Sequence, residues 1–359
     1  MKVCWVSNAP SPYKVAFMNQ LGTETELLSL FEMKAESDRE KQWYDYGFHT
    51  FQAAFLDEGD GNIRIRNAAD QCDLLICSDY SNRWNQKALH AFHRKKKPAI
   101  MHADGGLAIP RGLLDFAIRA VMKQYDWYLS SGITVNQRYF GYYHVPREKI
   151  FTYHFACMSE QELLDCAGKR LEKQACRKKI GISDKPMILS VGQQIPRKGY
   201  DLLVQAMAGI DAEAMIIGGT PEQKVQEYLS AHHMSNVHFL PFMNKQELSD
   251  YYAAADLFVL PTRYDIWGLV INEAMSFGLP VLSTDRCMAA AEFAERYQAA
   301  EVIPAENADL LQKKIRELLE DEAHRDQLGK RAETVIRDWS YEQMVRDFIS
   351  VFREIRQGG

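Results

Sequence analysis

The stretch Leu260-Pro261-Thr262-Arg263-Tyr264-Asp265-Ile266-Trp267-Gly268-Leu269-Val270-Ile271-Asn272-Glu273-Ala274-Met275-Ser276-Phe277-Gly278-Leu279-Pro280-Val281 decides how this chain is read. The apolar run Leu257-Phe258-Val259-Leu260 predicts a short buried strand, and a polar loop follows it. A helix is expected from near Gly268 to Gly278, where a C-cap glycine precedes Pro280. Its first turn leaves the backbone N–H groups near Gly268, Leu269 and Val270 without intrahelical partners, at the positive end of the helix dipole. Such a helix head is an anion site. Glu273 lies a little over one turn in, and helical side chains lean back towards the N-terminus. Its carboxylate is therefore placed to accept hydrogen bonds from hydroxyls beside a bound anion, and Asp265 from the other side. Two carboxylates repel an anion unless the ligand also offers hydroxyl donors. A sugar nucleotide offers a diphosphate with hydroxyls on each side.

The same alternation runs through the chain. Short apolar runs at Met187–Val191, Ala214–Ile217, Val237–Leu240 and Val281–Ser283 are separated by amphipathic stretches. Val3–Val6, Asp73–Cys77, Ala99–Met101 and Trp127–Leu129 read as strands of an earlier series, with helices at Tyr13–Leu21 and Asn85–His93. Buried strands alternating with helices mean parallel sheets covered on both faces. Two doubly wound domains are expected, residues 1–170 and 184–338, joined across the polar stretch Lys169–Lys185 with a cleft between them. A last helix follows at 341–359.

Composition agrees: 359 residues with 47% hydrophobic and 25% charged residues suit a globular chain of two domains. No run approaches the ~18 apolar residues of a membrane span. Met1-Lys2-Val3-Cys4-Trp5-Val6 turns polar at Ser7-Asn8, too early for a signal peptide. Seven scattered cysteines without a Cys-x-x-Cys pair predict neither disulfides nor zinc, and suit a reducing, cytoplasmic setting. Residues 1–180 carry 25 Lys+Arg against 21 Asp+Glu, and residues 181–359 carry 18 against 27. Two basic runs, Arg94–Lys97 and Lys169–Lys179, supply the excess. They read as solvated surface or as a peripheral contact with an anionic membrane. A net charge of −5 argues against a nucleic-acid binder.

A second element, Ile188-Leu189-Ser190-Val191-Gly192-Gln193-Gln194-Ile195-Pro196-Arg197-Lys198-Gly199-Tyr200-Asp201, repeats the strand–loop–helix plan. In open parallel sheets ligands bind beyond the carboxyl ends of the strands. Arg197 and Lys198 fall there, where their cations would neutralise a leaving diphosphate.

The two segments together resemble the retaining GT-B glycosyltransferases of family GT4. That family has a Gly-x-x-x-x-x-Lys-Gly loop and a Glu-x7-Glu motif within Glu-x-x-Gly-Leu-x-x-x-Glu-Ala-x-x-x-Gly-x-Pro-Val. The resemblance is specific from about Met187 to Val281 and includes Phe239-Leu240-Pro241-Phe242 and Ala255–Pro261. It implies that Glu273 binds the ribose, Asp265 the donor sugar, and Arg197 and Lys198 the diphosphate. Gly192 would line the same site, and backbone near Phe242–Met243 would meet the base. It further implies that the last helix packs back on the first domain. Two positions depart from the pattern: the first motif carboxylate is Asp265 rather than Glu, and Gln193 stands where an Arg is usual.

In the first half, Pro10 and Ser11 lie in the loop Ser7-Asn8-Ala9-Pro10-Ser11-Pro12-Tyr13, where relatives have paired glycines. His102 and Asp104 follow another strand, ahead of Gly105-Gly106. Relatives carry a His at that strand end facing the donor sugar, and Asp104 is a candidate for the acceptor hydroxyl. Ser130-Ser131-Gly132 is a further strand end.

The expected activity is therefore transfer of a sugar from a nucleotide diphosphate, a UDP-sugar favoured, to a glycan hydroxyl with retention. The acceptor is expected to be lipid-linked, on the inner face of the plasma membrane, in cell-surface polysaccharide synthesis. No Asp-x-Asp triplet is present, so no metal or other cofactor is expected. The rivals are a sugar-nucleotide epimerase and a catalytically inactive relative serving as a binding subunit. The chain has no Gly-x-Gly-x-x-Gly for a dehydrogenase and no P-loop.

Overall fold

The computed structural model describes residues 1–34, 47–80, 82–182 and 184–358. Gly359, counted with the last helix, lies outside the described residues. The chain divides into two units, Met1–Cys157 with Tyr341–Gly359, and Met158–Ser340.

The first unit is built on a parallel sheet of seven strands among the described residues: β1 (Lys2–Ser7), β2 (Glu26–Phe31), β3 (Gln52–Phe55), β4 (Leu74–Cys77), β5 (Ala99–Ala103), β6 (Trp127–Ser130) and β7 (Ile150–Thr152). Their order is β3-β2-β1-β4-β5-β6-β7. β2, β3 and β7 were not read from the sequence. β3 and β7 are edge strands of four and three residues, too short to show a period. The central strands are buried throughout: β4 reads Leu-Leu-Ile-Cys with all four residues inside. Both faces of a parallel sheet are covered, so these strands read as continuous apolar runs. The helix Tyr341–Gly358 belongs to this unit and packs on the helix Pro12–Glu24. Phe348 stacks on Trp5 at 5.5 Å and meets Phe17 edge-on at 5.0 Å, closing one face of the sheet.

The second unit carries a six-stranded parallel sheet: β8 (Met187–Val191), β9 (Glu213–Ile217), β10 (Val237–Leu240), β11 (Leu257–Leu260), β12 (Val281–Thr284) and β13 (Glu301–Ile303), ordered β10-β9-β8-β11-β12-β13. Its core joins β8, β9, β11 and β12 to helices through Ile188, Leu203, Ile216, Val259 and Leu282.

Two doubly wound α/β units are thus present, but the boundary differs from the sequence expectation. The segment 158–170, placed with the first domain, belongs to the second, and Lys169–Lys185 is not a linker. Its helices Glu160–Arg170 and Lys173–Ile180 pack on the helix Lys245–Ala254. The Arg170 guanidinium donates to the carbonyls of Ala253 (2.7 Å) and Ala255 (2.6 Å). Lys173 and Arg177 pair with Asp256, and Lys169 and Lys179 with Asp250. Burial alone would raise the Asp256 carboxyl, but the Lys173 hydrogen bond and the neighbouring cations hold it below its ordinary value. The basic run is therefore largely spent on two internal carboxylates. Lys97, in the other run, donates to the carbonyls of Ala69 and Cys72. No helix among the described residues is long and apolar enough to cross a membrane.

Candidate functional site

In the second unit the strand order reverses between β8 and β11, because β9 lies on one side of β8 and β11 on the other. The loops that leave those two strands part in opposite directions, and the gap between them is where open α/β sheets take ligands. The loop after β8 carries Arg197 and Lys198, and the loop after β11 carries Asp265.

The two loops are tied together. Lys198 is 8% exposed, and its Nζ donates to Asp265 Oδ2 at 2.5 Å. Arg197 Nη1 lies 3.4 Å from Asp265 Oδ1 and donates to the Tyr264 carbonyl at 2.8 Å. Arg263 N–H and the Thr262 hydroxyl both donate to the Arg197 carbonyl. Sequence reasoning passed over Arg263, although it lies inside the quoted stretch. Its guanidinium forks onto Asp201 at 2.8 and 2.7 Å and also reaches the Pro196 carbonyl, so it fixes the turn that presents Lys198. Asp265 is held from the other side by its own N–H on the Arg286 carbonyl.

The glycines make this closeness possible. Gly192 has φ +151°, and a Cβ there would lie 2.8 Å from Tyr200 Oη and 3.3 Å from Lys198 Cε. Gly199, at φ +71°, would put a Cβ 2.2 Å from the Pro261 carbonyl oxygen. The β8 turn can therefore lie against the β11 loop only with glycine at that position.

The helix after β11 spans Leu269–Ser276, with Gly268 as its N-cap at φ +99° and no side-chain cap. It ends where expected: Gly278 takes φ +61°, and its N–H returns to the Met275 carbonyl. Val270 and Leu269 form the first turn, both half-buried. Glu273, one turn on, accepts from Tyr252 Oη at 2.8 Å. Burial pushes its carboxyl above the ordinary range, and the Tyr252 hydrogen bond and Lys245 pull it back in part. Tyr252 falls in an amphipathic stretch of the sequence, but its contact with Glu273 was not foreseen, since it lies on a separate helix. Phe242 and Met243 follow β10; Phe242 is exposed and Met243 half-buried.

In the first unit the order reverses between β1 and β4. The loop after β1 holds Pro10, which is buried, and Ser11, the N-cap of the helix Pro12–Glu24, whose side chain does not cap it. Lys14, also missed, is 6% exposed and donates to Ser7 Oγ and Asn8 Oδ1, both at 2.7 Å. His102, on β5, is 2% exposed and lies among Trp5, Tyr153 and Phe348. Desolvation pushes its pKa down to about 4 against an opposing pull from Asp104, so the ring is neutral at pH 7. Asp104 Oδ1 lies 3.3 Å from His102 Nε2 and accepts from Tyr153 Oη at 3.3 Å.

Residues 172–335 match the model of the family "Glycosyl transferases group 1". The second unit is a glycosyl transferase group 1 domain. The GT4 resemblance read from Met187–Val281 therefore holds. A GDP-mannose-dependent monoacylated alpha-(1-6)-phosphatidylinositol monomannoside mannosyltransferase of Corynebacterium glutamicum is 30% identical over 187 residues, 48% of this chain and 49% of that protein. Lipopolysaccharide glucosyltransferase WaaG of Escherichia coli is 33% identical over 125 residues, 32% of each chain. The chain thus spans about half the length, or less, of the curated relatives it matches. In fold the likeness is wider. Anabaena Alr3699/HepE in complex with UDP superposes with TM-score 0.78 over 99% of this chain and 100% of that one, at 14% identity. The structure of WaaG gives 0.68 over 97% and 99%, at 17% identity. The fold is GT-B, with two parallel-sheet α/β units.

Proposed function

We propose that this chain is a retaining glycosyltransferase that moves a sugar from a nucleotide diphosphate, a UDP-sugar favoured, to a hydroxyl of a glycan acceptor. The observation that carries this is the Lys198–Asp265–Arg197 cluster at the strand-order reversal of a group 1 domain. Fixed cations beside a glycine-headed helix suit a departing diphosphate, and preorganised charge of this kind contributes on the order of 3 kcal/mol per donor to catalysis. Asp265 holds the Lys198 ammonium in place, so little reorganisation is needed when negative charge develops. Glu273 takes the ribose hydroxyls; the group is half-buried, and a ligand donor repays part of its desolvation. His102, neutral and walled by aromatic rings, offers a ring nitrogen to a sugar hydroxyl, and Asp104 orients it. Pro10, Ser11 and Asp104 serve the acceptor. The leaving phosphate oxygen takes the acceptor proton on the same face of the sugar, so the protein supplies orientation and charge rather than a nucleophile. Arg197, Lys198 and the helix head neutralise the diphosphate, and no metal is required in this reading.

Relatives that act on a lipid-linked mannoside and on lipopolysaccharide, by their names, support a lipid-linked acceptor in cell-surface polysaccharide synthesis, with the chain on the cytoplasmic face of the membrane. A UDP complex of a fold relative supports the choice of base.

The test is paired. A panel of UDP-, GDP- and ADP-sugars should raise the melting temperature, the UDP-sugars most, since a ligand that binds only the folded form stabilises it. Nucleoside diphosphate should then be released only when a glycan acceptor is present, and with EDTA added. Binding without turnover over a broad acceptor panel would favour an inactive binding subunit; release without acceptor would favour an epimerase-type hydrolysis.

A further inference from the structure

Eleven large apolar side chains stand exposed among the described residues, and four of them fall within residues 109–116: Ile109 (51%), Leu113 (87%), Leu114 (51%) and Phe116 (67%). Leu113, Leu114 and Phe116 open the helix Leu113–Met122. Its inward face is apolar too, through Ile118 and Met122. An ordinary surface helix is polar on the side away from the core, and this one continues its exposed face with Ala117 and Ala120. The one acidic residue of the helix, Asp115, is turned inward. Its carboxylate accepts from the Arg111 N–H and from Tyr142 Oη, both at 2.8 Å. The exposed charges at the two ends of the patch, Arg111 and Lys123, are positive. The Arg119 guanidinium lies 5.9 Å from the Phe116 ring centre.

Clustered exposed apolar groups rimmed by cations, with no exposed acid among them, have the pattern of a surface that enters an anionic lipid interface. Their position is also informative. The helix starts nine residues after β5, so its head lies at the carboxyl edge of the first sheet, the edge that bears His102 and Asp104. Arg94–Lys97 precede β5 and lie at the opposite edge. Lys123 precedes β6 and lies towards that same edge, so the helix runs from the carboxyl edge towards the amino edge.

We propose that residues 109–123 seat the first unit on an anionic bilayer, with Leu113, Leu114 and Phe116 entering the interface and Arg111 and Lys123 against phosphate headgroups. This rests on the functional reading only in that a lipid-linked acceptor would then arrive at the edge carrying His102 and Asp104.

Co-sedimentation of the full chain with vesicles tests it, using phosphatidylcholine alone and phosphatidylcholine mixed in equal parts with phosphatidylglycerol. The chain should partition onto the mixed vesicles at least roughly tenfold better than onto the neutral ones, and added salt should weaken the preference. Leu113→Ser with Phe116→Ser should lower partitioning by roughly tenfold or more, from lost apolar burial, with the melting temperature held. Arg111→Glu with Lys123→Glu should abolish the preference for anionic vesicles. The proposal fails if the parent ignores mixed vesicles, or if the Ser variant sediments like the parent. It fails equally if the parent is a dimer that the Ser variant splits, since the patch is then an interface between copies. The vesicle assay needs no donor, so loss of sugar transfer leaves it untouched and loss of vesicle binding leaves transfer to a soluble acceptor untouched.

Discussion

Lys198 and Asp265 are the pair on which the chemistry turns, and each is costly without the other. Removing one partner of a fully buried ion pair costs about 3–5 kcal/mol; here Arg197, 3.4 Å from Asp265, offsets part of that loss when Lys198 goes. Lys198→Ala should therefore lower both stability and turnover, whereas Lys198→Ala combined with Asp265→Asn should recover stability but not turnover. Turnover in the double variant is expected on the order of a hundredfold down, with donor-induced thermal shifts largely kept. Wild-type turnover in that variant would remove Lys198 from the diphosphate. Glu273 behaves in the opposite sense. Its carboxyl is raised by burial, so the stability it contributes is present at low pH and is lost as pH rises through its folded value. Glu273→Gln should keep or slightly raise the melting temperature at pH 7 while erasing the nucleotide-sugar shift. His102 has a folded pKa of about 4 against an unfolded value near 6.5. Between those values the unfolded chain takes up a proton that the native ring refuses, so stability falls as pH drops through that window. The loss is on the order of 3 kcal/mol. Melting temperatures of the parent and of His102→Phe over that range should diverge, the variant showing the shallower decline.

At the scale of elements, the site depends on two loops being stitched before any ligand arrives. Arg263 does most of this, through its fork on Asp201 and its contact with Pro196. Hydrogen bonds to charged groups contribute roughly 1.5–3 kcal/mol each, so Arg263→Ala should destabilise by about that amount. It should also lower kcat more than it weakens donor binding, since it acts on the position of Lys198 and touches no ligand. Asp201→Asn should reproduce the effect, and the double variant should add little; full additivity would show the two to be independent. The strand–loop–helix units themselves were legible because apolar run, loop glycine and cap glycine fall in fixed order at Leu257–Gly278 and at Ile188–Asp201. The partners were not. Tyr252 reaches Glu273 from a separate helix, and Lys14 turns back from its helix onto Ser7 at the end of β1, a contact that neither a helix nor a strand period marks.

At the scale of the whole molecule, the last helix completes the first unit rather than the second. Phe348 fills a pocket among Trp5, Phe17 and Tyr153, and Phe348→Ala should cost about 3–5 kcal/mol. Ending the chain at Ser340 should unfold the first unit while the second keeps its sheet, which limited proteolysis of the truncated protein would reveal. The domain boundary shows the same dependence on distant contacts. Lys169–Lys185 has the composition of a linker, yet Arg170 and Arg177 close on the carbonyls of Ala253, Ala254 and Ala255, and that pulls the preceding helix into the second unit.

The fold class, the family of the second unit, and the places of Gly192, Arg197, Lys198 and Asp265 in loops after strands and of Gly268 and Glu273 on the following helix are legible in the chain alone. Those features are local: a buried strand must be apolar, a backbone with positive φ favours glycine, and a helix must begin and stop. The packed fold adds that Lys198 is bonded to Asp265, that four cations of the run at 169–179 pair with Asp250 and Asp256, and that the exposed face of the helix at 113–122 is apolar. Each of these depends on which surfaces meet across long separations in the chain, and burial, which sets charge states and exposure alike, is a property of that meeting rather than of any segment.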